Sequence, residues 1–395
     1  MPVFTGTLNS NIIFAALYNM IILQEVFADN VAGTFSSLVD KARVDGGLYG
    51  DTKLYYSTDA LKSSAWGNDA EATNLLQLHR PAAPEVQAIF INNFRQISLT
   101  VDNYLTKQAF KDEGAFGQFN SVMLGWMRVT KRVYDSTLYN VYIGTTVSTA
   151  NRAVESIDLS SIASDSSLNT EEKNRLKGQT IAQSIADLIV ALKDITRDFN
   201  DYKYLRSYDE SSINFVWNAK WVNQIKKIDL PTIFHKDGLI SKFDEDLLPA
   251  RYFGVVITSS NKSSYAASTP TTGKPIDSDD NTYVPGSNHA NGCIRSVVEK
   301  EVTVGGTSYH VFPGDEIPAG STIVASGTFE LGEVYIETAD VICKIYVKLP
   351  PFMSAFEAGT SFFNPKSLTE THFLTWGHNT IEYLKNYPFI TVKAA

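Results

Sequence analysis

Cysteine is scarce in this sequence. Its 395 residues include only two cysteines, Cys293 and Cys343. Two thiols are too few for a disulfide framework, and a sequence alone does not show whether they lie close enough for a single bridge. We predict two buried, reduced thiols, as is typical of a protein made in a cytoplasm.

The sequence also lacks the motifs of common enzymes. It contains no G-x-x-x-x-G-K-[ST] phosphate loop, no G-x-G-x-x-G fingerprint, no G-x-S-x-G elbow and no H-E-x-x-H zinc motif. Of six histidines only His372 and His378 are close, and their spacing is wrong for two metal ligands on one helix face. We therefore expect no catalytic residue, no cofactor and no metal ion.

One acidic segment, Asp277–Asn281, resembles the start of a calcium-binding loop. That loop requires glycine where Thr282 stands and glutamate where Asn288 stands. The segment is therefore not expected to bind calcium.

Excess positive charge and a membrane-spanning run are absent as well. The formal net charge is −9, which argues against a protein that wraps nucleic acid through a basic surface. The apolar run Ile12–Phe27 is shorter than the roughly 20 residues that a transmembrane helix needs. No Lys or Arg precedes Lys41, so a signal peptide is not expected. We interpret the run as an apolar arm that docks on another surface, with no membrane partner.

The most informative feature present is a pair of strand-like segments that leads into a long helix. Gly50–Thr58 and Glu85–Thr106 are separated by a polar tip, Ser63–Pro84, and a glycine-rich hinge precedes them. Apolar Ile97, Leu99 and Val101 alternate with polar residues, which predicts a half-buried strand. We predict a projecting two-stranded ribbon. Because such a ribbon is barely stable alone, we expect a neighbouring molecule to cover it.

The helix that follows is predicted over Glu113–Tyr142. Its apolar stripe is expected to contain Phe116, Phe119, Met123, Trp126, Thr130 and Val133. A basic face is formed by Arg128, Lys131 and Arg132, which could contact nucleic acid or could simply be solvated.

The second half of the chain predicts a second lobe and a closing set of strands. From Ser259 to about Gly292 the sequence is rich in Ser, Thr, Gly, Pro and Asn, and we interpret this segment as mobile. The other predicted elements are a helix over Thr170–Tyr204 with a capping box of Asn169 and Glu172, a strand Ile213–Trp217, a helix capped by Asn218, a buried strand Tyr252–Thr258, a hairpin over Val297–Phe312 and a strand-rich end, Val341–Lys393.

This order of elements resembles the major capsid proteins of tailed bacteriophages with the Hong Kong 97-type fold, in particular those of small short-tailed phages of the phi29 kind. Four segments carry the resemblance: Gly46–Tyr56, Phe215–Ile225, Leu248–Ile257, and Phe363–Leu368 with His372 and Trp376. The resemblance implies an α+β fold with these parts: an N-terminal arm over 1–44, an E-loop over 45–108, a P-domain with a spine helix over 109–158 and 334–395, an A-domain over 159–258, and a β-rich insertion over 259–333.

The resemblance further implies a structural protein of the virion rather than an enzyme. Copies would assemble in the host cytoplasm into pentamers and hexamers of an icosahedral shell around double-stranded DNA. Partners would be other copies, the portal, and scaffolding or decoration proteins. DNA would be contacted weakly and without specificity, through Arg128, Lys131 and Arg132. Contacts between subunits are expected at Ile12, Phe14, Tyr56, Trp66, Ile97, Leu99 and Val101.

Two other functions fit the same sequence. A bacterial nanocompartment shell would share the fold and differ in cargo. A carbohydrate-binding protein or hydrolase would instead use the segment Ser259–Gly292 as its site.

Overall fold

The structure is a computed structural model. It describes residues 38–45, 52–63, 80–102, 113–226, 244–286 and 292–395. The arm with Ile12 and Phe14, the glycine hinge and most of the ribbon tip, including Trp66, lie outside the described residues.

The described residues form five α-helices and seventeen strands. The helices are α1 Leu38–Ala42, α2 Glu113–Thr145, α3 Ser160–Ser164, α4 Thr170–Lys193 and α5 Ala219–Lys226. The strands of the first half are β1 Arg43–Asp45, β2 Thr52–Ser57, β3 Glu85–Asp102, β4 Val154–Ile157, β5 Asn214–Asn218, β6 Asp244–Leu248 and β7 Gly254–Val256. Those of the second half are β8 Ala266–Ala267, β9 Ile276–Asp277, β10 Ile294–Ser296, β11 Lys300–Val304, β12 Thr307–Val311, β13 Val334–Glu337, β14 Val341–Tyr346, β15 Phe352–Asn364, β16 Thr369–Asn379 and β17 Phe389–Ala394.

The predicted ribbon is part of a larger sheet. Strands β2 and β3 pair antiparallel, from Thr52 opposite Phe90 to Ser57 opposite Glu85, as expected. The remainder of β3 pairs with β16, and the full strand order is β1-β15-β16-β3-β2. The ribbon is therefore two-stranded only where β2 pairs with Glu85–Phe90, and the expectation that it stands apart from other strands is wrong. Its third strand lies some 270 residues later in the chain, where local sequence patterns give no sign of the pairing.

Helix α2 packs on one face of this first sheet. Met127 and Tyr134 of the helix contact Leu374 and Trp376 of β16, with Ile97 of β3 beside them. The helix begins at the predicted residue and continues three residues further, to Thr145.

The apolar stripe predicted for this helix is out of phase with the buried side. Trp126, Thr130 and Val133 are only half-buried, whereas Met127 and Lys131 are buried. The apolar pattern gave the wrong phase because a charged residue, Lys131, lies on the buried side of the helix. The other stripe residues, Phe116, Phe119 and Met123, lie outside the described side chains.

A second sheet, in the order β4-β17-β14-β5-β6, packs against α4. The predicted capping box is present, because the Asn169 side chain accepts from the Glu172 N–H and the Glu172 carboxylate accepts from the Asn169 N–H. Helix α4 ends at Lys193, well before the predicted Tyr204. Ile195, placed in the buried stripe by the sequence, is 65% exposed.

The junction of β5 and α5 follows the sequence prediction. The Asn218 side-chain oxygen accepts from the Lys220 N–H at 3.0 Å, as an N-cap does. Its amide group also donates to the Val341 carbonyl at 2.9 Å, which ties the cap to β14.

A third group of strands surrounds a separate apolar core. Ile276 and Tyr283 are buried there against residues such as Phe329. The segment predicted to be mobile therefore folds over its described part, 259–286, because these two side chains anchor it. The predicted hairpin forms β11 and β12, with Gly305 and Gly306 at φ 58° and 83°. Such positive φ values at both turn positions favour glycine.

At Gly144 the backbone of α2 comes close to the segment before β7. A Cβ atom at this position would lie 2.0 Å from the Tyr252 carbonyl oxygen. We expect Gly144→Ala to lower the free energy of unfolding by about 2 kcal/mol, as overpacking does. Gly125→Ala in the same helix meets nothing within 4 Å and should stabilise by roughly 0.5–1 kcal/mol. Urea denaturation compares the two variants, and equal effects would contradict this account.

Lys344 lies at the centre of the second sheet with only 1% of its surface exposed. Its ammonium group donates to the Thr146 carbonyl and the Thr391 hydroxyl, both at 2.7 Å. Burial, with a smaller effect of Lys393, lowers the pKa of Lys344 to about 7. The lysine is therefore partly neutral at neutral pH.

This burial predicts a characteristic pH dependence of stability. Between about pH 7 and 10 the unfolded chain holds a proton on Lys344 that the folded chain has lost, so stability should rise with pH. The contribution approaches ~1.4 kcal/mol per pH unit in the middle of this window. Below pH 7 both states are protonated and the contribution is constant. Lys344→Met should abolish it, and parallel curves for variant and parent, from denaturation at pH 7.5 and 9.5, would refute the assignment.

Candidate assembly interface

The outer face of the first sheet, which points away from α2, carries an exposed apolar cluster. Even-numbered residues of β3 point outward, and directly opposite positions of β2 share that face. Tyr56 is 64% exposed and Phe90 is 52% exposed. We call this cluster the ribbon patch, and its members are Leu54, Tyr56, Val86, Phe90 and Phe94.

Charge is missing from most of the outward side of β3. The even-numbered residues from Val86 to Thr100 include no charged side chain, and the last even-numbered residue of the strand, Asp102, is the exception. Beyond the ribbon patch the face is neutral and polar, with Gln96 donating to Thr375 at 3.1 Å and a Thr100–Thr371 hydroxyl pair at 3.0 Å. Protein surfaces ordinarily mix both signs of charge, so a neutral face with an apolar end is typical of an interface.

The inner face of the ribbon is already covered by its own chain. Ile89 and Ile91 pack with Met353 and Leu384. The Gln87 side chain donates to the Tyr383 carbonyl at 3.0 Å and accepts from the Lys385 N–H at 3.1 Å. Only the outer face of the ribbon is therefore open to a neighbour.

The predicted contact residues fall on both faces of the sheet. Tyr56 belongs to the exposed ribbon patch. Ile97 and Leu99 instead face α2, and Val101 is only 1% exposed. The alternating pattern therefore marks the face that the chain's own helix covers, and contact of these three residues with a neighbouring subunit stays a prediction. The sequence signal for the open face is that Val86, Phe90 and Phe94 are apolar and occupy even-numbered positions of β3.

The end of β2 is fastened to the loop that follows α4. Asp59 accepts from Arg197 at 2.7 Å and from the Leu205 N–H at 3.0 Å. The Arg197 hydrogen bond is the main reason that the pKa of Asp59 falls to about 2. Arg206 also donates to the Thr58 carbonyl. These contacts fix the direction of the ribbon relative to the second sheet.

Of the three predicted basic residues, Lys131 does not face solvent. It lies 3.5 Å from the fully buried Asp135 and 3.4 Å from Glu357, and Arg43 reaches the same Asp135 oxygen at 3.5 Å. Burial raises the pKa of Asp135, and Lys131 and Arg43 oppose that shift. The lysine therefore balances a buried carboxylate.

The other two basic residues are exposed. Arg132 lies 3.8 Å from Asp40 of α1, and Arg128 lies one turn before it. The predicted basic face is thus reduced to two arginines, of which one has an acidic neighbour.

Solved structures with the same arrangement belong to phage particles. A chain in the capsid structure of Staphylococcus phage Andhra matches with a TM-score of 0.53 and 12% identity, over 100% of this chain and 88% of that one. A chain in the structure of the head fiber and inner core protein gp22 of native bacteriophage P68 also has a TM-score of 0.53, with 11% identity, over 92% and 87% of the two chains. The fold is that of a phage capsid protein.

Sequence comparison does not reach these relatives. No protein-family model matches the chain, and no curated protein sequence matches it. The α+β class and the resemblance to the Hong Kong 97-type capsid fold are confirmed at the level of the fold.

A chain of polar contacts joins the third group of strands to the core of the capsid fold. His378 Nδ1 faces the Asn379 carbonyl at 2.9 Å and therefore donates to it, so Nε2 accepts from the Tyr134 hydroxyl at 3.0 Å. Arg95 donates to the same hydroxyl at 3.2 Å and lies 3.6 Å from Glu299, which also contacts His310 at 2.9 Å. Burial lowers the pKa of His378, which favours this neutral tautomer.

Both cysteines are buried and unbridged, as predicted. Among the described residues, no three His, Cys, Asp or Glu side chains are grouped so that they could hold a metal ion. None of the helices in these ranges has the length and apolar character required to cross a membrane.

Proposed function

We propose that this protein is the major capsid protein of a tailed bacteriophage. The observation that carries the proposal is the match to a chain of the Andhra capsid over the full length of this chain. In this reading the protein is not an enzyme, and copies of it form the pentamers and hexamers of an icosahedral shell around double-stranded DNA.

The parts of the subunit are assigned by the same proposal. Strands β2 and β3 with their tip form the E-loop, and α2 is the spine helix. Strands β15 and β16 of the first sheet belong to the P-domain, and the third group of strands is the β-rich insertion. The A-domain contains α4 and the second sheet, which also includes β4, β14 and β17 from the range that the sequence assigns to the P-domain.

Interaction between copies is supported by the outer face of the first sheet. Identical subunits with a net charge of −9 repel one another. An outer face without a charged side chain from Val86 to Thr100 lets them meet with little of that cost, and the ribbon patch supplies apolar area to bury. Many copies of such a contact add up in closed rings.

Contact with DNA would be weak and local in this proposal. Arg128 and Arg132 remain as candidates, whereas Lys131 is excluded by its burial. Portal, scaffolding and decoration proteins are expected partners on the basis of the fold alone.

Expression followed by negative-stain electron microscopy tests the function. We expect rings or shells, and a monomer at all concentrations would contradict the proposal. Nucleic acid inside purified particles distinguishes a capsid from a nanocompartment. Deleting residues Ser63–Pro84 tests the E-loop, and normal shells without that tip would remove its assembly role.

A further inference from the structure

One arginine joins the first sheet, α2 and the third group of strands. Arg95 of β3 donates from Nε to the Tyr134 hydroxyl at 3.2 Å, and its guanidinium carbon lies 4.8 Å from the centre of the same ring. Another guanidinium nitrogen lies 3.6 Å from a carboxylate oxygen of Glu299, the residue before β11. We call these contacts of Arg95 with Tyr134 and Glu299 the Arg95 latch, because they hold the β11–β12 hairpin to the first sheet.

A cleft of about 250 Å³ lies beside the latch, between the hairpin and the first sheet. Tyr134 and Trp376 are among the residues on one side of the cleft, and Lys300 and His310 are on the other. The hairpin is therefore held over the sheet largely by polar contacts, without continuous apolar packing.

An apolar contact anchors the third group of strands to α2 at another place. Val141 of α2 is buried with Tyr252 and Tyr335, and Val297 packs against them. Phe312, at the base of the hairpin, packs against the cluster that contains Trp376. If the Arg95 latch opens, these contacts keep the third group attached while the hairpin moves.

The Tyr134 hydroxyl keeps all its partners only while His378 is neutral. His378 Nδ1 donates to the Asn379 carbonyl at 2.9 Å, so Nε2 accepts from Tyr134 at 3.0 Å. The hydroxyl gives its single hydrogen to Nε2 and accepts from Arg95 with a lone pair. A proton on Nε2 would deprive that hydrogen of its acceptor and would direct two cationic donors at one oxygen.

The surroundings of His378 also oppose a positive charge. Burial is the main reason that the pKa of His378 is lowered, and the hydrogen bond to Asn379 opposes this shift. Arg95 on β3 and Lys131 on α2 lower the pKa further. A protonated His378 would therefore repel two cations that lie near it.

The acidic groups on this side of the sheet are already engaged. Asp135 lies 3.5 Å from Lys131 and from Arg43, and Glu357 lies 3.4 Å from Lys131. From β15, Phe352 stacks on the imidazole of His378 with ring centroids 5.5 Å apart and brings no charge. These neighbours therefore do not supply a counter-ion dedicated to a protonated His378.

Of the two cations that His378 would repel, Arg95 is the one that can leave. Its side chain is 35% exposed, against 8% for Lys131. Glu299 keeps a partner in the hairpin when Arg95 moves, because His310 Nε2 lies 2.9 Å from its carboxylate. Opening the latch therefore leaves no unpaired carboxylate at Glu299, and the larger cost of a buried unpaired charge is avoided.

We propose that protonation of His378 opens the Arg95 latch, so that the β11–β12 hairpin separates from the first sheet in acid. Once Arg95 has moved, water reaches the imidazole through the cleft, and the open state takes up a proton below the ordinary histidine pKa of about 6.5. The closed state binds that proton only at lower pH, since its pKa is lowered. The contribution of His378 to the closed state is therefore fully present above about pH 7 and is lost as the pH falls. The latch lies within one subunit and does not rest on the proposed function.

The distance between two spin labels measures the opening directly. Labels are attached after Arg128→Cys, on the exposed side of α2, and Thr307→Cys, beside the hairpin turn, and both native cysteines are buried. Dilution of the labelled full chain with unlabelled chain removes distances between copies. We expect the ratio of open to closed distances to rise at least about tenfold between pH 7.5 and 5.0, because one proton shifts an equilibrium by up to about tenfold per pH unit. An unchanged distance distribution would overturn the proposal.

His378→Gln in the same labelled chain identifies the group that responds. Glutamine keeps a side-chain oxygen that can accept from Tyr134, and it does not titrate. This variant should remain closed at both pH values. Opening equal to that of the parent would assign the response to another group, such as Asp135, whose pKa is raised by burial, and would overturn the proposal.

Glu299→Gln provides a second measurement that leaves His378 in place. It weakens the closed state at the hairpin end, so the midpoint of opening should move to higher pH. An unchanged midpoint would contradict the role of the latch. Far-UV circular dichroism should stay constant through the transition, and its loss at the same midpoint would show global unfolding instead of latch opening.

Discussion

Phe90→Glu should prevent assembly of this protein while leaving its subunit folded. Phe90 lies in the middle of the ribbon patch and is 52% exposed in the subunit. A charge at this position meets water in the isolated chain, so we expect a change in unfolding free energy of less than about 0.5 kcal/mol. In the assembly the same charge would be buried without a partner, which costs several kcal/mol per contact. We expect at least a tenfold loss of rings or shells by sedimentation and electron microscopy.

The sign of the charge should not matter for this effect. Phe90→Lys is expected to act like Phe90→Glu, because the cost comes from desolvation rather than from repulsion between acidic subunits. Tyr309→Glu provides the control, since Tyr309 is similarly exposed on a strand outside the ribbon patch. Assembly by Phe90→Lys but not by Phe90→Glu would show that net charge, and not the patch, controls the contact.

Lys131→Met should strongly destabilise the folded subunit. Lys131 and Arg43 together balance Asp135, whose side chain is fully buried. Removing one partner of a buried ion pair typically costs about 3–5 kcal/mol, since a poorly compensated charge remains. We expect a loss of roughly 3 kcal/mol from urea denaturation. Arg128→Met, three residues earlier on the exposed side of the same helix, should change stability by less than about 0.5 kcal/mol.

The loss in Lys131→Met should depend on pH. Without the lysine, burial raises the pKa of Asp135 further above that of the unfolded chain. The folded state then holds a proton that the unfolded state releases, so stability falls as pH rises through this interval. The difference between Lys131→Met and its parent should therefore narrow as the pH is lowered. Equal stability of the Lys131 and Arg128 variants at neutral pH would show that Lys131 faces solvent, as its sequence position predicts.

Local sequence patterns predicted most elements of this fold. The capping box at Asn169, the Asn218 cap and the two-glycine turn of the β11–β12 hairpin depend on neighbouring residues, and they occur where the sequence places them. These are short-range interactions with strict geometry. The order of such elements was also enough to suggest the capsid fold.

Predictions that depended on distant contacts were less successful. The alternation at Ile97, Leu99 and Val101 identified an apolar face, but only the packing of α2 and β16 decides what covers it. Lys131 appeared solvent-facing because its acidic partners include Glu357, more than 200 residues later. The fold of the segment after Ser259 depends on Ile276 and Tyr283 filling a core built from later strands.

The pairing of β3 with β16 also sets the order of events in synthesis. Thr100 and Thr371 lie opposite each other, so the first sheet cannot be completed until residues near 371 have left the ribosome. Strand pairings over such sequence distances form late and slowly. The complete first sheet therefore does not exist on a partly synthesised chain, although β2 and the start of β3 can already pair. Any contact between copies that needs the complete sheet must wait until each subunit is nearly finished.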